Sequence, residues 1–242
     1  MTESFTVKKN EQIPEDVHRI TDEKIIAYID EILREPKFFV GKGNIAEVYK
    51  LDSNTSICFK LIDEGKNGTI ALALRGENPY FNSISVEANF LTDLQNVDSK
   101  VRVPRPLYTV EREVERSGQE TAIVSVLAME LLPAVSIRDV LDEMAELPDK
   151  FDRSSFFLSL HKFFEKMHEK GIYHRDVHAG NIMIGTKGGE PYVIDFGTAV
   201  YSNAEDAYQG SRRGATTRFR NDFNGLEIVE REVSQFLTKL NK

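Results

Sequence analysis

Hydrophobic and polar positions alternate with two different periods along this chain, and the change between them divides it. Residues Thr21 to Leu33 place Ile25, Ile26, Ile29, Ile32 and Leu33 on one helical face behind an Asp22-Glu23 start, which predicts an amphipathic helix ended near Pro36. From Lys37 the runs shorten. Phe38-Phe39-Val40, Val48 to Leu51 and Ile57 to Lys60 are β-type segments punctuated by Gly41, Gly43 and Asp52-Ser53-Asn54, so a three-strand meander is expected. Ser85 to Leu94 returns to helical spacing through Val86, Phe90, Leu91 and Leu94, and Val101 to Pro104 is extended. Charges fill Glu111 to Glu120, after which the apolar, β-branched run Thr121 to Leu132 reads as the buried second strand of a hairpin.

Beyond Pro133 the helical period takes over. Ile137 to Met144 is one candidate helix, and Ser154 to Glu169 is a longer one with Phe157, Leu160, Phe164 and Met167 in a stripe and Gly171 as its C′ residue. Two short strands follow, around Ile182-Met183-Ile184 and Tyr192-Val193-Ile194, and the last periodic segment is Leu226 to Leu240. A strand-rich first half and a helix-rich second half imply an α+β, bilobal chain with a cleft between lobes. The expected boundaries are 1–36 for an N-terminal helical extension, 37–132 for the first lobe and 133–242 for the second.

Composition narrows the function. The 242 residues are 40% hydrophobic and include 15 Phe, enough for a sizeable core. A net charge of −8, from 31 basic and 39 acidic side chains, argues against nucleic-acid binding through bulk charge. No run approaches membrane-spanning length and the first ten residues lack a secretory pattern, so a cytoplasmic protein is expected. The single cysteine, Cys58, allows no internal disulfide and leaves a four-ligand zinc site short of ligands.

Chemistry concentrates in His174-Arg175-Asp176-Val177-His178-Ala179-Gly180-Asn181, followed fourteen residues later by Asp195-Phe196-Gly197. Either motif alone is common; in this order, each preceded by an apolar strand, they resemble the protein-kinase superfamily. The resemblance implies ATP and Mg²⁺ as cofactors and assigns roles. Asp176 orients the attacking hydroxyl and takes its proton. Asn181 and Asp195 offer the hard oxygen ligands that Mg²⁺ prefers. Lys60, ending the third predicted strand, neutralises the α- and β-phosphates, and Glu87 pairs with Lys60, with Glu77 as the rival because the Lys60 to Glu87 interval is long.

The same resemblance makes Gly41-Lys42-Gly43-Asn44-Ile45-Ala46-Glu47-Val48 the loop over the phosphates, with Ala46 where a third glycine is usual. Leu127 to Leu132 resembles the strand leading into an adenine-binding hinge, with Met129 as gatekeeper and the backbone of Glu130 to Leu132 bonded to the adenine edge. Val48, Cys58 and Met183 would sandwich its faces. All of these are equally readable as plain core hydrophobes.

Departures from the family pattern matter for the acceptor. Only 47 residues follow Asp195 and they contain no Ala-Pro-Glu, so the second lobe is expected to be shortened after the helix carrying Asp222, as in RIO-type kinases and small kinases delivered by bacterial pathogens into a host cytosol. His178 stands where protein kinases usually carry lysine and would give the γ-phosphate a weaker, pH-dependent contact. That flavour is shared with aminoglycoside, choline and UbiB-like kinases. Arg175 favours the protein-kinase form and could bind a loop phosphate or an ion-pair partner. Arg212, Arg213, Arg218 and Arg220 form a basic stretch in an acidic chain, suited to an acidic partner or a phosphorylated hydroxyl. Three readings stay open: a Ser/Thr protein kinase, a small-molecule kinase, and a nucleotide-binding scaffold without turnover.

Overall fold

The computed structural model describes residues 8–9, 27–32, 38–42, 46–50, 56–63, 82–114, 122–207, 209–212, 215–218 and 221–240. The chain divides into two compact units, one comprising Met1–Asn78, Asn82–Ala88 and Arg105–Leu131, the other Pro79–Phe81, Asn89–Pro104 and Leu132–Lys242.

The first unit is built on a six-stranded sheet. Its strands are β1 (Lys8–Lys9), β2 (Phe39–Lys42), β3 (Glu47–Lys50), β4 (Ile57–Asp63), β5 (Pro106–Val114) and β6 (Ala122–Glu130), in the order β1-β5-β6-β4-β3-β2 with every neighbour antiparallel. The meander and the hairpin expected from the sequence are both present. β4 lies at the centre and all seven of its residues are buried. Period-two alternation sends Ile57, Phe59 and Leu61 to one face, where they join Val124, Val126 and Ala128 of β6. A helix α1, described over residues 27–32, packs Ile29 and Ile32 into the same cluster. The segment expected as a separate N-terminal extension thus contributes to this core, and Lys8–Lys9 adds a strand that no apolar alternation announces. The rest of the expected Thr21–Leu33 helix lies outside the described residues.

Helix α2 (Ile84–Leu94) follows β4 in the chain. The second unit then adds β7 (Ala134–Ser136), α3 (Ile137–Leu141) and α4 (Arg153–Glu169). Asp139 N–H donates to Ser136 Oγ at 3.0 Å and Ser155 N–H to Asp152 Oδ1 at 2.7 Å, so each helix starts on a capping side chain. α3 is shorter than the expected Ile137–Met144, because Glu143 takes a left-handed φ of 58° and the helix cannot continue through it. α4 buries Phe156 and Phe163 in addition to the expected stripe, and Gly171, at φ 70°, closes it. Strands β8 (Ile172–Tyr173), β9 (Ile182–Gly185), β10 (Pro191–Val193) and β11 (Val200–Tyr201) follow. They pair antiparallel as β10-β9-β7 and β11-β8. A hairpin of β12 (Gln209–Arg212) and β13 (Ala215–Arg218) precedes the last helix, α5 (Asp222–Leu240). No helix among the described residues is long and apolar enough to cross a membrane.

Candidate active site

In the first unit the local geometry is set by β4. Lys60 shares the face of Cys58 and Ile62, opposite the apolar cluster, and is matched to Val48 on β3 and Leu127 on β6. Its Nζ lies 2.8 Å from both carboxylate oxygens of Glu87. Side-chain exposures of 7% and 3% make this a desolvated ion pair, a case in which each charge depends on the other. Glu87 sits in the first turn of α2, where the helix dipole also favours an anion. Glu77, the rival, lies outside the described residues.

Around Lys60, Gly41 pairs with Val48 across a register shift in β2, and Ala46 is buried; Gly43 lies outside the described residues. Cys58 faces Met129 across β4 and β6. Burial pushes the Cys58 thiol up to about 12, which keeps it neutral and unreactive. Glu130 N–H donates to Arg105 O at 2.9 Å and Leu131 N–H to Ser56 O at 2.6 Å, so both amides are already used. Of the three expected hinge residues, only Leu132 keeps an N–H that donates to no described residue.

The second unit carries the His174–Asn181 loop. Asp222, fully buried at the start of α5, accepts His174 N–H at 2.9 Å on Oδ2 and Arg175 N–H at 2.8 Å on Oδ1. His168 Nε2 lies 2.9 Å from the same Oδ2. Arg175 is buried and held at φ 72°. His174 Nε2–H donates to Ile194 O at 3.0 Å, so its Nδ1 is the acceptor for Asp176 N–H at 3.3 Å. Its ring rests on Phe196, with centroids 4.7 Å apart.

These bonds leave the Asp176 carboxylate half-exposed. Asn181 Nδ2 donates to Asp176 O at 3.0 Å and reaches Oδ2 at 3.5 Å, which turns Asn181 Oδ1 away as the amide's remaining acceptor. His178 accepts Gly180 N–H on Nδ1 at 3.0 Å, and that fixes its proton on Nε2, 3.6 Å from Asp176 Oδ2. The neighbouring His178 holds the Asp176 carboxyl below the usual carboxylate range, against the opposing effect of burial. The imidazole expected to face a γ-phosphate is therefore engaged with the candidate base.

Asp195 arrives by pairing. Val193 of β10 opposes Ile182 of β9 and Ile194 N–H donates to Asn181 O at 3.0 Å, so the residue before one strand and the residues after the other are neighbours. Asp195 adopts φ 63°, and Gly197 N–H donates to its Oδ1 at 3.3 Å. Among the described residues no three His, Cys, Asp or Glu side chains form a metal cage. An Asn and an Asp suit Mg²⁺, which takes few protein ligands and completes its shell with phosphate oxygens and water. Met183, on β9, is half-buried. Arg213 and Arg220 lie outside the described residues. His168, stacked on Tyr173 at 4.4 Å, was missed from the sequence, where a histidine near a helix end carries no signal.

The family model described as Protein kinase domain matches residues 35–220. Serine/threonine-protein kinase PknD of Chlamydia trachomatis serovar D is 27% identical over 174 residues, covering 69% of this chain and 17% of that protein. A probable serine/threonine-protein kinase of Dictyostelium discoideum is 28% identical over 160 residues, 66% of this chain and 22% of its own. Uncharacterized protein L702 of Acanthamoeba polyphaga mimivirus is 33% identical over 75 residues, 29% of this chain and 10% of its own. The chain thus spans about a fifth of the length of the two kinases. The domain match covers most of the chain, which therefore belongs to the protein-kinase family.

Proposed function

We propose that this chain transfers the γ-phosphoryl group of ATP to a hydroxyl group, and that the acceptor is a serine or threonine of a protein. The observation that carries the reading is the loop geometry: a half-exposed Asp176 carboxylate held beside Asn181, whose amide oxygen is turned away from it. In the proposed step the acceptor oxygen attacks Pγ, the bond from Pγ to the β–γ bridging oxygen breaks, and ADP leaves with the electron pair. Asp176 takes the acceptor's proton. A carboxylate with a lowered pKa is a weak base, which suits a loose transition state in which the proton departs late. Lys60, oriented by Glu87, would neutralise the α- and β-phosphates, and Leu132 N–H is the hinge donor left for adenine. Asn181 Oδ1 and the Asp195 carboxylate would hold Mg²⁺, which draws charge from the phosphate oxygens when bound. Such chemistry needs a compartment that supplies ATP and Mg²⁺, such as the cytosol.

The names of the relatives favour a protein acceptor. His178 at the usual lysine position favours a small-molecule hydroxyl instead, and the two separate in one assay. Labelled Mg-ATP is incubated with the wild type and Asp176→Ala, with generic protein acceptors in one arm and a metabolite panel in the other. Transfer to protein by the wild type, reduced about 10²- to 10⁴-fold in Asp176→Ala, is expected. Near-wild-type transfer by Asp176→Ala overturns the assignment, and turnover confined to the metabolite arm moves the acceptor class.

A further inference from the structure

Tyr201 lies six residues beyond Asp195, on β11, whose partner β8 ends immediately before His174. Its hydroxyl donates to Asp93 Oδ2 at 2.6 Å. Its ring stacks on Phe90, with centroids 4.3 Å apart and planes at 25°. Phe90 is 1% exposed whereas Tyr201 is 53% exposed, so burial alone does not explain why the ring is held there. Burial of the hydroxyl and its bond to Asp93 raise the phenol's pKa, so the group stays a donor. Asp93 and Phe90 both belong to the second half of α2, and Glu87 stands one turn before Phe90 on the same continuous helix. A helix with its successive backbone bonds intact moves as a rod over that length, so a restraint at residues 90 and 93 is felt at residue 87.

We infer that Tyr201 is a positioning residue: by fastening α2 at Phe90 and Asp93 it sets where Glu87 holds Lys60, and so ties the phosphate anchor to the segment that leaves Asp195. The inference deepens the phosphotransfer reading and rests on it. The stack supplies the location and the hydroxyl supplies the direction, since an aromatic pair tolerates sliding whereas a 2.6 Å hydrogen bond does not.

The test uses the full chain with Tyr201→Phe, Tyr201→Ala, Glu87→Gln and the Tyr201→Phe/Glu87→Gln double variant. It reads kcat and KM for ATP, the thermal midpoint, and amide hydrogen exchange over residues 84–94. Tyr201→Phe keeps the stack, and is expected to leave the midpoint nearly unchanged while lowering kcat/KM for ATP about tenfold. Exchange over 84–94 should rise in Tyr201→Phe and rise further in Tyr201→Ala. In the Glu87→Gln background the same Tyr201→Phe change should cost less than about twofold, because the two residues act in series. Independent, multiplying losses in the double variant overturn the inference, as does unchanged exchange over 84–94 in Tyr201→Ala. A wild type that transfers no phosphate to any acceptor sinks the phosphotransfer reading instead. The exchange arm then still decides whether Tyr201 fastens α2.

Discussion

Lys60 shows how much one buried charge constrains its surroundings. Its motif spacing named it in the sequence, and the same spacing left Glu87 and Glu77 as rival partners; only the fold brings Glu87 to 2.8 Å. A role confined to neutralising phosphates would make Lys60→Ala a loss of chemistry without a loss of fold. Burial of both side chains changes that expectation, because truncating Lys60 strands a carboxylate in a desolvated setting. A loss of about 3 kcal/mol or more in stability is expected for Lys60→Ala, read by denaturant unfolding. The double change Lys60→Met/Glu87→Leu, which removes both charges, should recover most of it, and failure to recover would show that the pair is not the cause. Other residue-level features were illegible for a plain reason. The engagement of His178 with Asp176, and the use of the Glu130 and Leu131 amides at Arg105 and Ser56, depend on distances between backbone segments that no local pattern encodes.

Among the elements, the long periodic ones were readable and the short ones were not. α4 and α2 came within a residue of their expected ends, because three or more apolar turns give a clear period. The two-residue strands β8 and β11 have no period to detect. α5 starts at Asp222, the residue expected on that helix ahead of the apolar period from Leu226, and its first turn is spent on the His174–Asn181 loop. Gly225 explains how close that approach is: a Cβ there would stand 2.5 Å from Val177 O, inside the loop that carries Asp176. Gly225→Ala must therefore push α5 and the loop apart, at a cost of about 1–3 kcal/mol. A lower thermal midpoint together with reduced transfer is expected; a variant as stable and active as wild type would mean the backbone yields there without consequence.

On the scale of the whole molecule, the α+β plan and the order of motifs were legible, because binary patterning reports which face of each element is buried. The pairing of Lys8–Lys9 with β5 was not, since register between segments about 100 residues apart is set by the finished sheet. On the proposed nucleotide binding, Mg-ATP at 100 times its Kd should raise the stability by about 2.7 kcal/mol. The thermal midpoint should respond far less to ATP with a chelator, or in Asp195→Asn; an equal shift in all three would remove the metal from the proposal. The sheet order has one more consequence. β2 is the last described strand of the sheet, and its Phe39 and Val40 are exposed on an unshared margin. Strands of that kind invite other copies to add on and grow into fibres. The irregular step between Phe39 and Gly41, with the solvated ammonium of Lys42 beside it, roughens the margin so that a second copy finds no straight ladder to join.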